Sequence, residues 1–142
     1  MRSSSCSAAV VRASPNSLPA RSRGVIRRGR TRVLLDHELG RRGIAPDVVS
    51  GYGREEHTHL AVAAAIAAGR ADAGLGIMAA ARAFGLDFVP VTREPYDLVL
   101  ATETLEDPVT APLWALLEEP AFRTAVEALG GYGTDEMGSR IR

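Results

Sequence analysis

Strand-like and helix-like segments alternate along this chain, and that alternation predicts an α/β domain with a largely parallel sheet. The clearest instance is residues 59–77. Residues 59–68 are rich in alanine and carry strong helix propensity; Thr58 offers a hydroxyl cap in front, and Gly69 can take the left-handed conformation that stops a helix. Ala71, Ala73, Leu75 and Ile77 then alternate with Asp72, Gly74 and Gly76, which is the period of a strand. The pattern repeats at once, with a short helix over residues 78–84 closed by Gly85 and a strand through Leu86, Phe88, Val89 and Val91. Gly74 and Gly76 leave their strand with little side chain, which suits either the close approach of a ligand or a tightly packed helix.

The other elements follow in order. Residues 1–23 are rich in serine and arginine and hold no acid. Beyond Ala8 to Val11 they show neither period, so they are expected to be disordered. Gly24-Val25-Ile26 is a short strand, followed by a basic turn and a helix for which Thr31 is the expected N-cap. Val33, Leu34, Leu35 and Leu39 form the apolar side of that helix, and Gly43 ends it. Pro46 marks a loop, residues 47–50 are a candidate strand, and residues 51–58 are a polar loop. After Arg93-Glu94-Pro95, residues 96–100 read as a separate strand. Residues 107–130 are helical but broken at Pro120, and residues 132–142 read as loop. The domain is therefore expected over 24–138, with a tail at 139–142.

Composition narrows the function classes. With 46% hydrophobic residues in 142, the chain can bury a core of its own. A single cysteine, Cys6, rules out an internal disulfide framework and a cysteine-based metal site. No apolar run reaches the eighteen or so residues of a membrane span, so no membrane contact is expected. The zero net charge divides unevenly: residues 1–30 hold seven arginines and no acid, and residues 31–142 hold ten arginines against seventeen acids. All the basic residues are arginine, which fits GC-rich coding DNA and implies no chemistry. Residues 8–11 are too short an apolar core for a secretory signal, so a cytoplasmic location is expected. The first 23 residues fit a transit peptide, out-of-frame or upstream translation of GC-rich DNA, or a nucleic-acid-binding arm carried by charge alone. With no interleaved aromatics or recognition motif, direct nucleic-acid binding is not expected.

Two places could carry chemistry. Residues 27–32 form a basic turn running into a helix start, where backbone N–H groups and the helix dipole favour an anion and Thr31 and Arg32 could add donors. The alternative there is a solvated turn at an ordinary helix start. The second place is His37, His57 and His59 with Glu55 and Glu56. His57-x-His59 lacks the i, i+4 spacing that sets two ligands on one helix face, and no metal site is expected. Asp72 and Asp97 are single carboxylates at strand edges. No dinucleotide fingerprint, phosphate-binding loop, nucleophile elbow or triad is present, so neither an enzyme activity nor a cofactor is expected.

Five segments together resemble a known family: TRVLLD at 31–36, GY at 51–52 leading through EE at 55–56 to THLAVAAA at 58–65, GRADAGLG at 69–76, LDFVP at 86–90 and YDLV at 96–99. They are similar to the type 2 periplasmic-binding-protein-like domain. The variety is the one attached to molybdopterin molybdotransferases and to helix-turn-helix regulators, and is related to molybdate-binding proteins. The resemblance implies two α/β lobes with a ligand between them. Here it implies one complete lobe, over about residues 24–92, plus the C-terminal part of the other, an N-terminally truncated version of the domain.

The expected function is then non-catalytic binding of a small oxyanion, molybdate or tungstate first, linked to molybdenum cofactor metabolism or its regulation. The contacts so implied are Thr31 and Arg32 at the first helix start, Tyr52 and His59 near the second, and Tyr96 at the crossover. Possible partners are a molybdopterin biosynthesis enzyme, for which the chain would be an accessory domain, or a DNA-binding regulator, for which it would be the sensor. A degenerate fragment without ligand is the remaining alternative. One departure is local: the family's turn reads Gly-Ser-Gly-Thr-Arg, and here it is Arg28-Gly29-Arg30-Thr31-Arg32. Arginine in place of glycine removes freedom for positive φ.

Overall fold

The computed structural model describes residues 2–12, 24–27 and 29–140. Its elements are β1 (Arg2–Arg12), β2 (Gly24–Arg27), α1 (Arg30–Arg41), β3 (Glu55–Glu56), α2 (His59–Ala67), β4 (Ala73–Ile77), α3 (Met78–Ala83), β5 (Asp87–Asp97), α4 (Thr102–Glu106), α5 (Ala111–Glu118), α6 (Pro120–Ala128) and β6 (Tyr132–Gly133). Single 3-10 turns occupy Pro46–Val48 and Pro108–Thr110. The chain divides into two compact units, Ala8–Thr92 and Met1–Ser7 with Arg93–Arg142.

In the first unit β2 lies between β3 and β4 and runs parallel to both, with Ile26 opposite Glu55 on one side and opposite Leu75 on the other. Ala8 to Arg12 of β1 pair antiparallel with β4, from Ala8 opposite Ile77 to Arg12 opposite Ala73. The α/β class is as the alternation predicts, but the sheet is mixed rather than largely parallel, since β1 pairs antiparallel with β4 and with β6.

Helix α2 packs on β4, β2 and α3. Val62, Ala65 and Ile66 of α2, Ala71 and Ala81 form the buried core, with Leu86 and Phe88 packed against it. Small residues dominate because α2 crosses a strand reading Ala-Gly-Leu-Gly-Ile, so bulky groups on both sides would hold helix and sheet apart. Thr58 caps α2 through its Oγ1, which accepts from the Ala61 N–H at 3.0 Å. Gly69 terminates it at φ 67°, with Gly69 N–H donating to Ile66 O and Arg70 N–H to Ala65 O. Both ends are as expected.

The second unit is mainly helical. Arg123 of α6 holds it together, its Nε donating to Leu117 O at 3.1 Å and its Nη2 to Met137 O at 2.9 Å. Leu117, Thr134 and Met137 are buried around this arginine. Ser5 and Cys6 of β1 pair with Gly133 and Tyr132 of β6.

Several local expectations are corrected. Residues 2–12, expected to be disordered, form β1; residues 13–23 of the same expected segment lie outside the described residues. The physical reason is tertiary: β4 would otherwise present a row of unpaired N–H and C=O groups, which an extended neighbour satisfies. The candidate strand at 47–50 is a 3-10 turn, and the polar loop after it contains β3. The two strands expected over 86–91 and 96–100 are one, β5, which tolerates Pro90 and Pro95 at the end of the strand order. The break expected at Pro120 is present, α5 ending at Glu118 and a separate α6 beginning at Pro120 itself, where its missing N–H costs nothing.

Candidate functional site

Strands β2 and β3 are parallel neighbours, so the helices that follow them start at the same edge of the sheet. This is the edge at which open α/β sheets place ligands, outside the carboxyl ends of the strands. Helix α1 begins there with Gly29 as its N-cap at φ 99°, not with Thr31. Thr31 is instead the second residue of the helix and is buried. Because Gly29 has no side chain, nothing caps α1: its carbonyl accepts from the Arg32 and Val33 N–H groups at 2.8 and 3.4 Å. The N–H groups of Arg30 and Thr31 find no acceptor among the described residues.

Arg32 is already engaged. Its Nη1 donates to Tyr52 O at 2.7 Å, and the guanidinium carbon stacks 3.5 Å from the centre of the Tyr52 ring. Its Nε lies 3.5 Å from Asp36 Oδ1 and its Nη1 3.5 Å from Glu55 Oε1. The Tyr52 hydroxyl closes the circuit by donating to Asp36 Oδ1 at 2.6 Å. One cation against two carboxylates leaves the cluster net negative, which is an unfavourable place for a second anion. The arrangement clamps the loop carrying Tyr52 to the side of α1. Asp36 stands four residues after Arg32, a spacing visible in the sequence; the contribution of Glu55, twenty-three residues away, was not.

His59 is the first residue of α2, half-buried, at the same strand edge as the α1 start. Tyr96 lies in β5 within the second unit and is 65% exposed. The first unit therefore contains Thr31, Arg32, Tyr52 and His59; it joins Arg32 to Tyr52 directly and gives Thr31 and His59 to two neighbouring helix starts. Gly29 is the residue that reading by motif missed, since Thr31 competed for the same role. Among the described residues no group of three or more His, Cys, Asp or Glu side chains could hold a metal ion. No described helix is long and apolar enough to cross a membrane.

A model of the PBP superfamily domain, the periplasmic-binding-protein-like domain, matches residues 14–118. The chain belongs to the PBP superfamily. The match starts ten residues before the expected domain boundary at 24 and ends before 138. Two relatives carry the same region. An uncharacterised protein encoded in the 5′ region of a ferredoxin 2Fe-2S gene of Clostridium pasteurianum is 36% identical over 110 residues, which are 77% of this chain and 97% of that protein. The uncharacterised protein YvgK of Bacillus subtilis (strain 168) is 34% identical over 110 residues, which are 78% of this chain and 35% of that protein. This PBP-like region thus makes up nearly all of one relative and about a third of the other. PBP-like domains are typically non-catalytic, and membership suggests that the chain binds a small ligand.

Proposed function

We propose that this chain binds a small oxyanion at the carboxyl edge of β2 and β3, molybdate or tungstate being the first choice, without catalysing a reaction. The observation that carries the reading is the uncapped start of α1. The N–H groups of Arg30 and Thr31 stand without an acceptor among the described residues, next to the start of α2 on the neighbouring strand. Such N–H groups, with the positive end of the helix dipole behind them, bind anions. The contacts proposed are those two N–H groups and His59. Arg32 and Tyr52 support the site by positioning the loop between α1 and β3. The link to molybdenum cofactor metabolism belongs to the same proposal and rests on the family resemblance.

The test is a thermal melt of the purified chain with millimolar molybdate, tungstate, sulfate and phosphate. An anion at about 100 times its dissociation constant stabilises the folded state by about 2.7 kcal/mol, several degrees for a chain of this size. Arg30→Pro removes one of the proposed N–H donors at a position where proline suits a helix; Arg30→Ala controls for the lost side chain. The expected result is a shift selective for molybdate or tungstate that Arg30→Ala retains and Arg30→Pro loses. A cooperative melt that no anion moves would overturn the reading.

A further inference from the structure

Helix α5, in the second unit, is apolar almost all round yet lies mostly in solvent. Its sequence, Ala-Pro-Leu-Trp-Ala-Leu-Leu-Glu, has Glu118 as its one charged residue, a composition that ordinarily goes with burial on every side. Only Leu117 is buried, and Trp114 is half-buried. Val109, in the 3-10 turn that runs into the helix, is 85% exposed, Leu113 37% and Leu116 39%. These three recur at i, i+4 and i+7, so they make one apolar stripe along the helix. The inner side is already fixed. The Trp114 indole N–H donates to Thr110 Oγ1 at 3.0 Å, and the Thr110 hydroxyl in turn donates to Thr104 O at 2.8 Å. With Leu117 and Trp114 turned inward, the stripe stays outward.

Charge decides what can cover it. Glu106 and Asp107 precede the stripe, Glu118 and Glu119 follow it, and all four are exposed. None of the four forms an ion pair among the described residues. The chain has no arginine, lysine or histidine between Arg93 and Arg123 to offset them. A second copy laid on the stripe about a two-fold axis would set acid against acid at both ends, which costs rather than gains. An anionic lipid surface is repelled for the same reason. A basic partner gains at both ends while it takes the leucines out of water.

We propose that the exposed stripe of α5 is a docking surface for an amphipathic helix of another protein, apolar on one side and carrying arginine or lysine at both ends of that side. The inference goes beyond the oxyanion reading and rests on other residues in the other unit.

The probe is a helical peptide of leucine and lysine, about 14 residues or four turns long and free of tryptophan, titrated into the full chain and read by the emission of Trp114. A peptide with glutamate in place of lysine is the control. The expected result is a saturable change with the basic peptide and an apparent affinity at least tenfold weaker with the acidic one. Leu113→Ser with Leu116→Ser should weaken the basic peptide at least tenfold. Glu118→Gln with Glu119→Gln, which leaves the stripe intact, should weaken it and flatten its salt dependence, and gives the answer should the serine variant fail to fold. No saturable change in the folded chain, an equal response to both peptides, or an undiminished response in a folded variant overturns the proposal. A dimer seen by light scattering that Leu113→Ser dissolves would give this surface to a second copy and overturn it as well. Molybdate-dependent melting is read separately, so failure of either idea leaves the other measurable.

Discussion

Arg32 shows how a residue with the right chemistry for an anion can be committed elsewhere. Its guanidinium stacks on Tyr52, donates to the Tyr52 carbonyl and faces Asp36 and Glu55. Arg32→Ala removes the stack and the charged hydrogen bond and is expected to cost about 1–3 kcal/mol in urea unfolding. Arg32→Lys keeps the charge but not the planar fork and should fall between. An unchanged midpoint in Arg32→Ala would show that the clamp contributes nothing. Glu38 gives a pH dependence at the same scale. The hydrogen bond from Arg42 holds its carboxyl below the ordinary value, against the opposing effect of burial and with help from the Arg42, Arg41 and His37 charges. Because the folded pKa is depressed, this stabilisation is present above the unfolded pKa and is lost as pH falls through the folded one. Arg42→Ala should therefore flatten the acid limb of a stability–pH curve, and an identical limb would refute the assignment.

At the scale of the element, α2 depends on its two ends and its buried face. Gly69 sits at φ 67° with open space where a Cβ would go, so Gly69→Ala carries only the cost of left-handed backbone, about 1–2 kcal/mol. Ile66 is 1% exposed, and Ile66→Ala should cost about 2–5 kcal/mol, because removed methyl groups leave a cavity against β4 and α3. Thermal or urea melts of both variants check the order, Ile66→Ala the larger. These ends were legible because a cap and a stop act within one helical turn: Thr58 reaches only to Ala61, and Gly69 needs nothing but its own φ. The start of α1 was not legible in the same way. Thr31 has a good cap side chain, yet burial of Thr31 in the helix leaves that place to Gly29, and burial is decided by the strand below. Likewise β3 is two glutamates long, and no local pattern distinguishes Glu55-Glu56 from the loop around it until β2 supplies the partner.

At the scale of the molecule, β1 and β5 each have residues in both compact units, changing unit after Ser7 and after Thr92. Two continuous strands shared in this way favour one cooperative transition. The single tryptophan, Trp114, lies in α5 of the second unit with its indole N–H donating to Thr110 Oγ1 at 3.0 Å, and so reports that unit alone. Urea curves from Trp114 fluorescence and from far-UV circular dichroism are expected to coincide, and to move together in Ile66→Ala; separated curves would show units that unfold independently.

From the sequence alone came the α/β class, the ends of α2, the strand after it and the family, because each is carried by contiguous residues: helix propensity, a cap, a glycine stop, a period of two, five motifs in order. Tertiary structure alone decided the rest. It made residues 2–12 a strand by offering Ala8 to Arg12 the open side of β4 and Ser5 and Cys6 the partner strand β6, and it joined the candidate strands around Pro90 and Pro95 into one. It turned Arg32 from a free cation into the centre of a clamp by bringing Tyr52 and Glu55 to it. The physical reason is common to all three: strand pairing and charge pairing are settled between residues far apart in the chain, and the free energy of an extended segment or an arginine depends on which partner the fold delivers.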